Sequence, residues 1–407
     1  MLLKVVKALV AAVGLSLSMM GPLMGIAIVV FALVSPQETS SLQSALMGVS
    51  FAALGLGLGG TLAWQGIRAL QGYSSAPFRP PRAWLLGLFF VPAIILGQGF
   101  LSLKIAPWLT LPPFHVVAVA IPPACVLAYV GRRLALAGTR WRDVILQGAS
   151  GAFLSTTAAF VLEGALGLSL ALAVIVIVAL TPPGRAEIEA LISHLRDPLW
   201  IANAENVYNL LLRPGVALPV ALMVVIIVPL IEELLKPLGV VLLSYRHPTR
   251  AQAWLGGLAC GAGFALAEGL LNTATSADAW GLVVLMRTGA SLMHCLGSGF
   301  MALGWQRLLV ERRPWKLMGA FGVSVTVHAL WNLTAVGIVG VGLTTTNLPA
   351  DAWLTALGGM GVIGLFFFLV VLTVGMACAL VWLTHRLERG LRDGLRAPSA
   401  GTALLRG

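Results

Sequence analysis

The chain has 407 residues, of which 58% are hydrophobic and 10% charged, against roughly 25% charged in soluble domains. That balance excludes a water-soluble fold, and the 46 glycines, spread through apolar runs where small residues let helix backbones approach in lipid, point to an all-α polytopic transmembrane helical bundle. A net charge of +11 raises nucleic acid as a partner, but the basic residues gather at the ends of apolar segments, so the charge reports topology and no nucleic-acid binding is expected.

With about 20 apolar residues per crossing, the chain reads as ten spans. The first, 8–34, follows Lys4 and Lys7 and is far longer than the roughly 7–15 residues of a signal-peptide apolar region, so it is a retained span. In the second, 42–64, the string Gly55-Leu-Gly57-Leu-Gly59-Gly60 superficially resembles a nucleotide fingerprint, but no strand–helix unit surrounds it and it reads as helix packing. The third covers 84–103. The fourth, 105–130, contains Pro107, Pro112, Pro113, Pro122 and Pro123, which predicts a kinked or partly re-entrant segment. The fifth, 144–180, is long enough to tilt, bend or project. The outer segment 181–215 mixes acids with Ile188, Leu191, Ile192, Leu195, Leu199 and Trp200 at spacings that suit a short amphipathic helix, read first as a cap over the bundle. Cys125, Cys260, Cys295 and Cys378 sit in apolar stretches without paired metal-type spacing and read as small core residues.

Spans six to nine, at 217–243, 251–271, 280–309 and 317–341, carry the polar residues that apolar helices should lack. Ionisable groups at membrane depth cost several kcal/mol unless paired or wet, which makes each a functional candidate. Span six has Pro229-Leu-Ile-Glu232-Glu233-Leu-Leu-Lys236, in which Glu232 and Lys236 are four apart on one helical face and can pair. Glu232 lies roughly 20 Å from the cytoplasmic end of its helix. Adjacent carboxylates beside an ammonium are a device for setting two carboxyl groups apart in acidity and leaving one as a general base. Span seven adds Glu268 after a glycine-rich approach, span eight Arg287 and His294, and span nine His328 and Asn332, four apart and able to point into one cavity. His115 and Glu163, alone in their spans, read as structural. The tenth span covers 353–384.

Taken in order, Glu232-Glu233-Leu-Leu-Lys236, Phe264-Ala-Leu-Ala-Glu268, Arg287 to His294 and His328-Ala-Leu-Trp-Asn332 resemble the PrsW family of intramembrane proteases, itself similar to the CAAX prenyl endopeptidases and bacteriocin-processing enzymes. One departure is visible: Gly269 stands where the family usually has Asn. The resemblance implies an intramembrane endopeptidase that cuts a membrane-anchored protein, the best-known case being an anti-sigma factor. It implies catalytic roles for Glu232, Glu233, Glu268, His294, His328 and Asn332, with Lys236 and Arg287 balancing charge. Glu232 or Glu233 with Glu268 would activate water, His328 and Asn332 would stabilise the oxyanion, and His294 would shuttle a proton or orient a carboxylate.

A divalent metal such as zinc, held by Glu268, His294 and His328, is a second mechanism. No HExxH string supports it, so the metal-free glutamate mechanism ranks first on sequence alone. The alternative function is a proton- or cation-coupled transporter using the same acids, but the motif-bearing helices are not echoed in spans one to five as inverted repeats would require. A catalytically dead scaffold would be expected to have lost motif residues, and all are present. By function the chain divides into a five-span region with its outer segment, 1–216, a four-span protease core, 217–341, and a last span with a basic tail, 342–407.

The expected location is the cell membrane, a bacterial plasma membrane, with both termini cytoplasmic. On the inner side lie Lys4 and Lys7; Arg68, Arg79 and Arg82; Arg132, Arg133, Arg140 and Arg142; Arg246 and Arg250; Arg307, Arg312, Arg313 and Lys316; and Arg386, Arg389, Arg392, Arg396 and Arg406. These make 20 of the 26 basic residues, against Lys104, Arg185, Arg196 and Arg213 outside. Fusions of a cytoplasm-active reporter to the C-terminus should therefore be active, and activity only of a periplasm-dependent reporter there would refute an even number of crossings.

Overall fold

The computed structural model describes residues 2–34, 40–242, 248–346 and 352–396; Arg246 and Arg406, counted above on the inner side, lie outside them. Among the described residues the regular structure is helical, apart from one antiparallel bridge between Pro77 and Arg140. Within the described residues nine helices are long and apolar enough to cross a membrane: Lys4–Val34, Ser41–Leu70, Ala83–Ser102, Pro107–Arg133, Trp141–Ala179, Gly215–Leu242, Arg250–Thr275, Pro314–Gly342 and Ala356–Gly394. The predicted eighth span forms as Trp280–Leu309, a helix of 30 residues. It is less apolar than the others because it carries Arg287, Ser291, His294, Ser298 and Gln306, and all of these but Arg287 are buried. A helix enclosed by other helices need not be lipid-soluble on every face. The chain is thus an all-α polytopic bundle of about ten spans.

Two compact units form, one from residues 1–157, 233–324 and 373–407 and the other from 158–232 and 325–372. In the first unit, close approach of small residues sets the packing. A Cβ at Gly21 would fall 2.5 Å from the Phe51 carbonyl oxygen and 2.7 Å from the Gly55 Cα. The glycine string of the second span is therefore a packing surface for the first, as its sequence context predicts. At the centre lies the seventh span, with nearly every side chain buried. Its start is fixed by a capping box in which the Thr249 hydroxyl accepts from the Gln252 N–H at 3.3 Å and the Gln252 amide oxygen accepts from the Thr249 N–H at 3.0 Å. Gly261 packs on the His294 carbonyl and, by its missing Cβ, 2.7 Å from the Cys295 Cα. Gly257 meets the Ser298 carbonyl and Gly263 the Gly148 carbonyl, so helices close in on two sides.

Other expectations are modified. The proline-rich fourth span, expected to be kinked or partly re-entrant, forms one helix, Pro107–Arg133, long enough to cross, with Pro107 in its first turn. The fifth span contains a π-helical stretch at Ser150–Ser155, whose Gly151 packs on the Cys260 carbonyl. The outer segment folds as three short helices, Pro182–Leu195, Pro198–Ala202 and Ala204–Leu211, instead of one. His115 has the structural role expected of it: its Nε2 lies 3.0 Å from the Ser50 hydroxyl, and the Trp280 indole N–H donates to its Nδ1 at 3.3 Å. The four cysteines form no disulfide. At the end of the eighth span, Arg250 Nη2 lies 2.7 Å and Arg307 Nη1 3.7 Å from Glu311. Burial pushes the Glu311 carboxyl up, but the Arg250 hydrogen bond and the charges of Arg250, Arg307 and Arg313 outweigh it and hold the group below its ordinary range.

The glycine contacts generate a direct expectation. Gly261→Leu must push the seventh and eighth spans apart, and overpacking of this kind costs about 1–3 kcal/mol or more, so the detergent-solubilised protein should melt several degrees lower or lose monodispersity. Gly164→Leu, where an added Cβ meets nothing within 4 Å, should leave the melting temperature within error. Equal melting of both variants would contradict the packing described.

Candidate active site

In the first unit the sequence-predicted residues form one connected cluster. The helix Val228–Leu235 stops ahead of Pro237, since the residue before a proline is biased away from helical geometry. Lys236 falls in the turn that follows. Its ammonium lies 2.7 Å from Glu233 Oε1, and both side chains are fully buried. The Lys236 Nζ also sits 4.8 Å from the centre of the Phe264 ring, and that ring is 5.3 Å from the His294 imidazole. Phe264 thus links the Glu233–Lys236 pair to His294 through an aromatic face that favours a cation. Gly297, one turn beyond His294, makes room for Glu233, because a Cβ there would come 2.5 Å from Glu233 Oε2.

The second part of this cluster centres on Glu268. Arg287 grips it with two nitrogens, Nη2 at 2.6 Å from Oε2 and Nη1 at 3.1 Å from Oε1, the bidentate geometry that a guanidinium offers a carboxylate. His294 Nε2 lies 2.7 Å from Glu268 Oε2. The Asn272 amide donates to Oε1 at 3.0 Å. Asn272 is a residue that the motif reading passed over, although its position four residues after Glu268 places it on the same helical face and signals the contact. It supplies Glu268 with an amide donor where the following residue, Gly269, has no side chain to do so.

In the second unit the sixth and ninth spans meet. His328 Nε2 lies 3.8 Å from Glu232 Oε2, with both side chains buried. Toward the other end of the same contact, the Asn332 Nδ2 donates to the Val224 carbonyl at 2.9 Å. The sequence explains why that carbonyl is open. The stretch Met223–Ile227 is π-helical and the Val228 N–H bonds the Met223 carbonyl, while the next donor in register would come from Pro229, which has no N–H. Asn332 supplies the missing donor. One proton of its amide is used in this way, and a second remains.

Two ligands of a tetrahedral zinc at roughly 2.0–2.1 Å lie about 3.3 Å apart, and a buried carboxylate and imidazole 3.8 Å apart are spaced close to that and too far for a hydrogen bond. Glu232 and His328 therefore fit as metal donors. Glu268, expected from sequence to be a ligand, has its oxygens occupied by a guanidinium, an imidazole and an amide, which suits an orienting role better than ligation.

Removing Lys236 alone strands the Glu233 charge, a change that costs about 3–5 kcal/mol for a buried pair. Lys236→Met should lower thermal stability sharply, and Glu233→Gln in the same chain should recover most of the loss. Additive losses in the double variant would show that the two groups do not interact.

Comparison with known proteins bears on what these residues do. Residues 139–373 match the model of the PrsW family intramembrane metalloproteases, a stretch that covers more than half of the chain and contains all eight motif residues. No curated protein and no solved structure matches the chain. The family's description as metalloproteases reverses the order in which the sequence alone ranks the two mechanisms. The chain belongs to the PrsW family of intramembrane metalloproteases.

Proposed function

We propose that the protein hydrolyses a peptide bond of a membrane-anchored protein, an anti-sigma-factor-like substrate by resemblance, with the glutamates and histidines of spans six to nine. The observation that carries this reading is burial. Glu232, Glu233, Lys236, His294 and His328 are each at most 5% exposed, in a chain whose apolar surface faces lipid, and groups held so expensively are kept for chemistry.

Peptide hydrolysis needs an activated water, a polarised carbonyl and a proton for the leaving amine. Zinc is the metal that the donor types suit, and Glu232 and His328 would hold it. When bound, such an ion polarises the scissile carbonyl and acidifies its water. Glu268 accepts the Nε2 proton of His294, which leaves Nδ1 as the lone-pair nitrogen, and Arg287 and Asn272 hold that carboxylate in place. Glu233 accepts the water proton and delivers it to the departing amine, while Lys236 prevents the carboxylate from being stranded. The second amide proton of Asn332 would bond the oxyanion. In this reading the enzyme resides in the cell membrane with both termini cytoplasmic.

The test is cleavage by the purified protein in detergent. Glu232→Gln, Glu233→Gln, Glu268→Gln and His328→Ala should each lower the rate by roughly 10²-fold or more while the protein still accumulates in the membrane. Glu163→Gln should cleave nearly as the parent does. A strong chelator should abolish activity and added zinc restore it. Parental activity in both Glu232→Gln and Glu233→Gln would end the protease reading, and indifference to the chelator would remove the metal from it.

A further inference from the structure

The second unit holds a cavity of about 790 Å³ that the mechanism above does not use. Its wall comes from Gly167, Ala171 and Val174 of the fifth span, from Ile188 of the outer helix Pro182–Leu195, and from Pro219 and Val224 of the sixth span. Among the described residues, the only charged or polar side chains on the wall are Glu187 and Arg213. They pair with each other at 3.4 Å, so neither charge is left waiting for a phosphate or carboxylate. The size falls within the roughly 300–1,000 Å³ of sites that bury a ligand, and the lining asks for an uncharged, apolar one.

Continuity with the catalytic helix identifies the occupant. The cavity ends at Val224, the residue whose carbonyl Asn332 holds. Glu232 is eight residues further along the same helix, which at 1.5 Å per residue is about 12 Å. An extended peptide covers that distance in about four residues at roughly 3.3 Å each. We infer that this cavity is a specificity pocket, which receives a large apolar side chain of the protein substrate about four residues to the extracytoplasmic side of the scissile bond. The assignment rests on the peptidase reading for its register, and the cavity stands as an apolar peptide-binding site apart from it. Gly167 makes the pocket easy to fill, because a Cβ there would meet nothing closer than Met223 Cε at 4.0 Å.

The experiment uses the full chain in phosphatidylcholine nanodiscs, with Glu232→Gln to prevent turnover and a photoreactive diazirine amino acid in place of Val174. The probe is a 25-residue leucine-rich single-span peptide with lysine ends. Irradiation should give a peptide adduct, reduced at least tenfold by Gly167→Trp or, should that variant fail to accumulate, by Ala171→Leu. Mass spectrometry of the adduct, compared with the cut made in the same peptide by the protein with Glu232 intact, should place the crosslinked residue three to five positions outward of the cut. Adducts with phosphatidylcholine alone, adducts with neither, or a peptide adduct unchanged by both filling variants would each overturn the pocket, and a separation of more than eight residues would overturn its register. A peptide adduct without cleavage by any form of the protein would instead count against the peptidase reading and leave the pocket in place.

Discussion

The cost of holding charge away from water governs this structure. A lone ionised group in hydrocarbon costs several kcal/mol or more, and removing one partner of a buried pair returns that cost in full. Each charged side chain of the first unit's cluster accordingly has an opposite charge or aromatic face against it. Lys236 lies between the Glu233 carboxylate and the Phe264 ring, and Glu268 is enclosed by Arg287, His294 and Asn272. Such fixed dipoles and charges are what a site for peptide hydrolysis requires, because they need no rearrangement as charge develops in the reaction.

Small residues make those pairings reachable. A helix that carried ordinary side chains at 257, 261 and 263 would hold its neighbours away by the width of those side chains, and His294 would then stand off from Glu268. Glycine at these positions brings the backbone of the seventh span against that of the eighth on one side and against Gly148 and Ala152 on the other. The same substitution of backbone for side chain at Gly297 admits the Glu233 carboxylate to the surface of the eighth span. Packing and electrostatics here are one design, since the ionisable groups are affordable only where the helices touch.

The sixth span shows how a helical irregularity serves the same end. Two prolines flank Glu232-Glu233: Pro229 removes a donor and Pro237 ends the helix. The first opens the Val224 carbonyl to Asn332, and the second ends the helix beside Lys236, whose ammonium holds Glu233. The π-helical turn at Met223–Ile227 gives Met223 and Val224 to the cavity wall and leads into the segment that carries Glu232, in keeping with the tendency of π-helical turns to occur at functional sites.

Composition and period alone determined that the chain is an all-α membrane bundle of about ten spans, because a backbone in lipid must satisfy its hydrogen bonds within each segment. The glycine string of the second span and the glycine-rich run before Glu268 were legible as packing surfaces for the same reason, and the four motif strings named the family that the match over residues 139–373 establishes. What sequence spacing does not encode is which partner each polar group takes. Lys236 lies against Glu233, three residues before it, a contact that local spacing also allows, whereas Glu268 is committed to Arg287 because residues 19 apart meet only when two helices pack. The Val224 carbonyl entered the site through a local loss of helical register and a contact from the ninth span, and the apolar cavity exists only where the fifth span, the outer helix and the sixth span fold together. Those features belong to the tertiary structure because each depends on distances between helices, which the side chains at every crossing set jointly and no single segment sets alone.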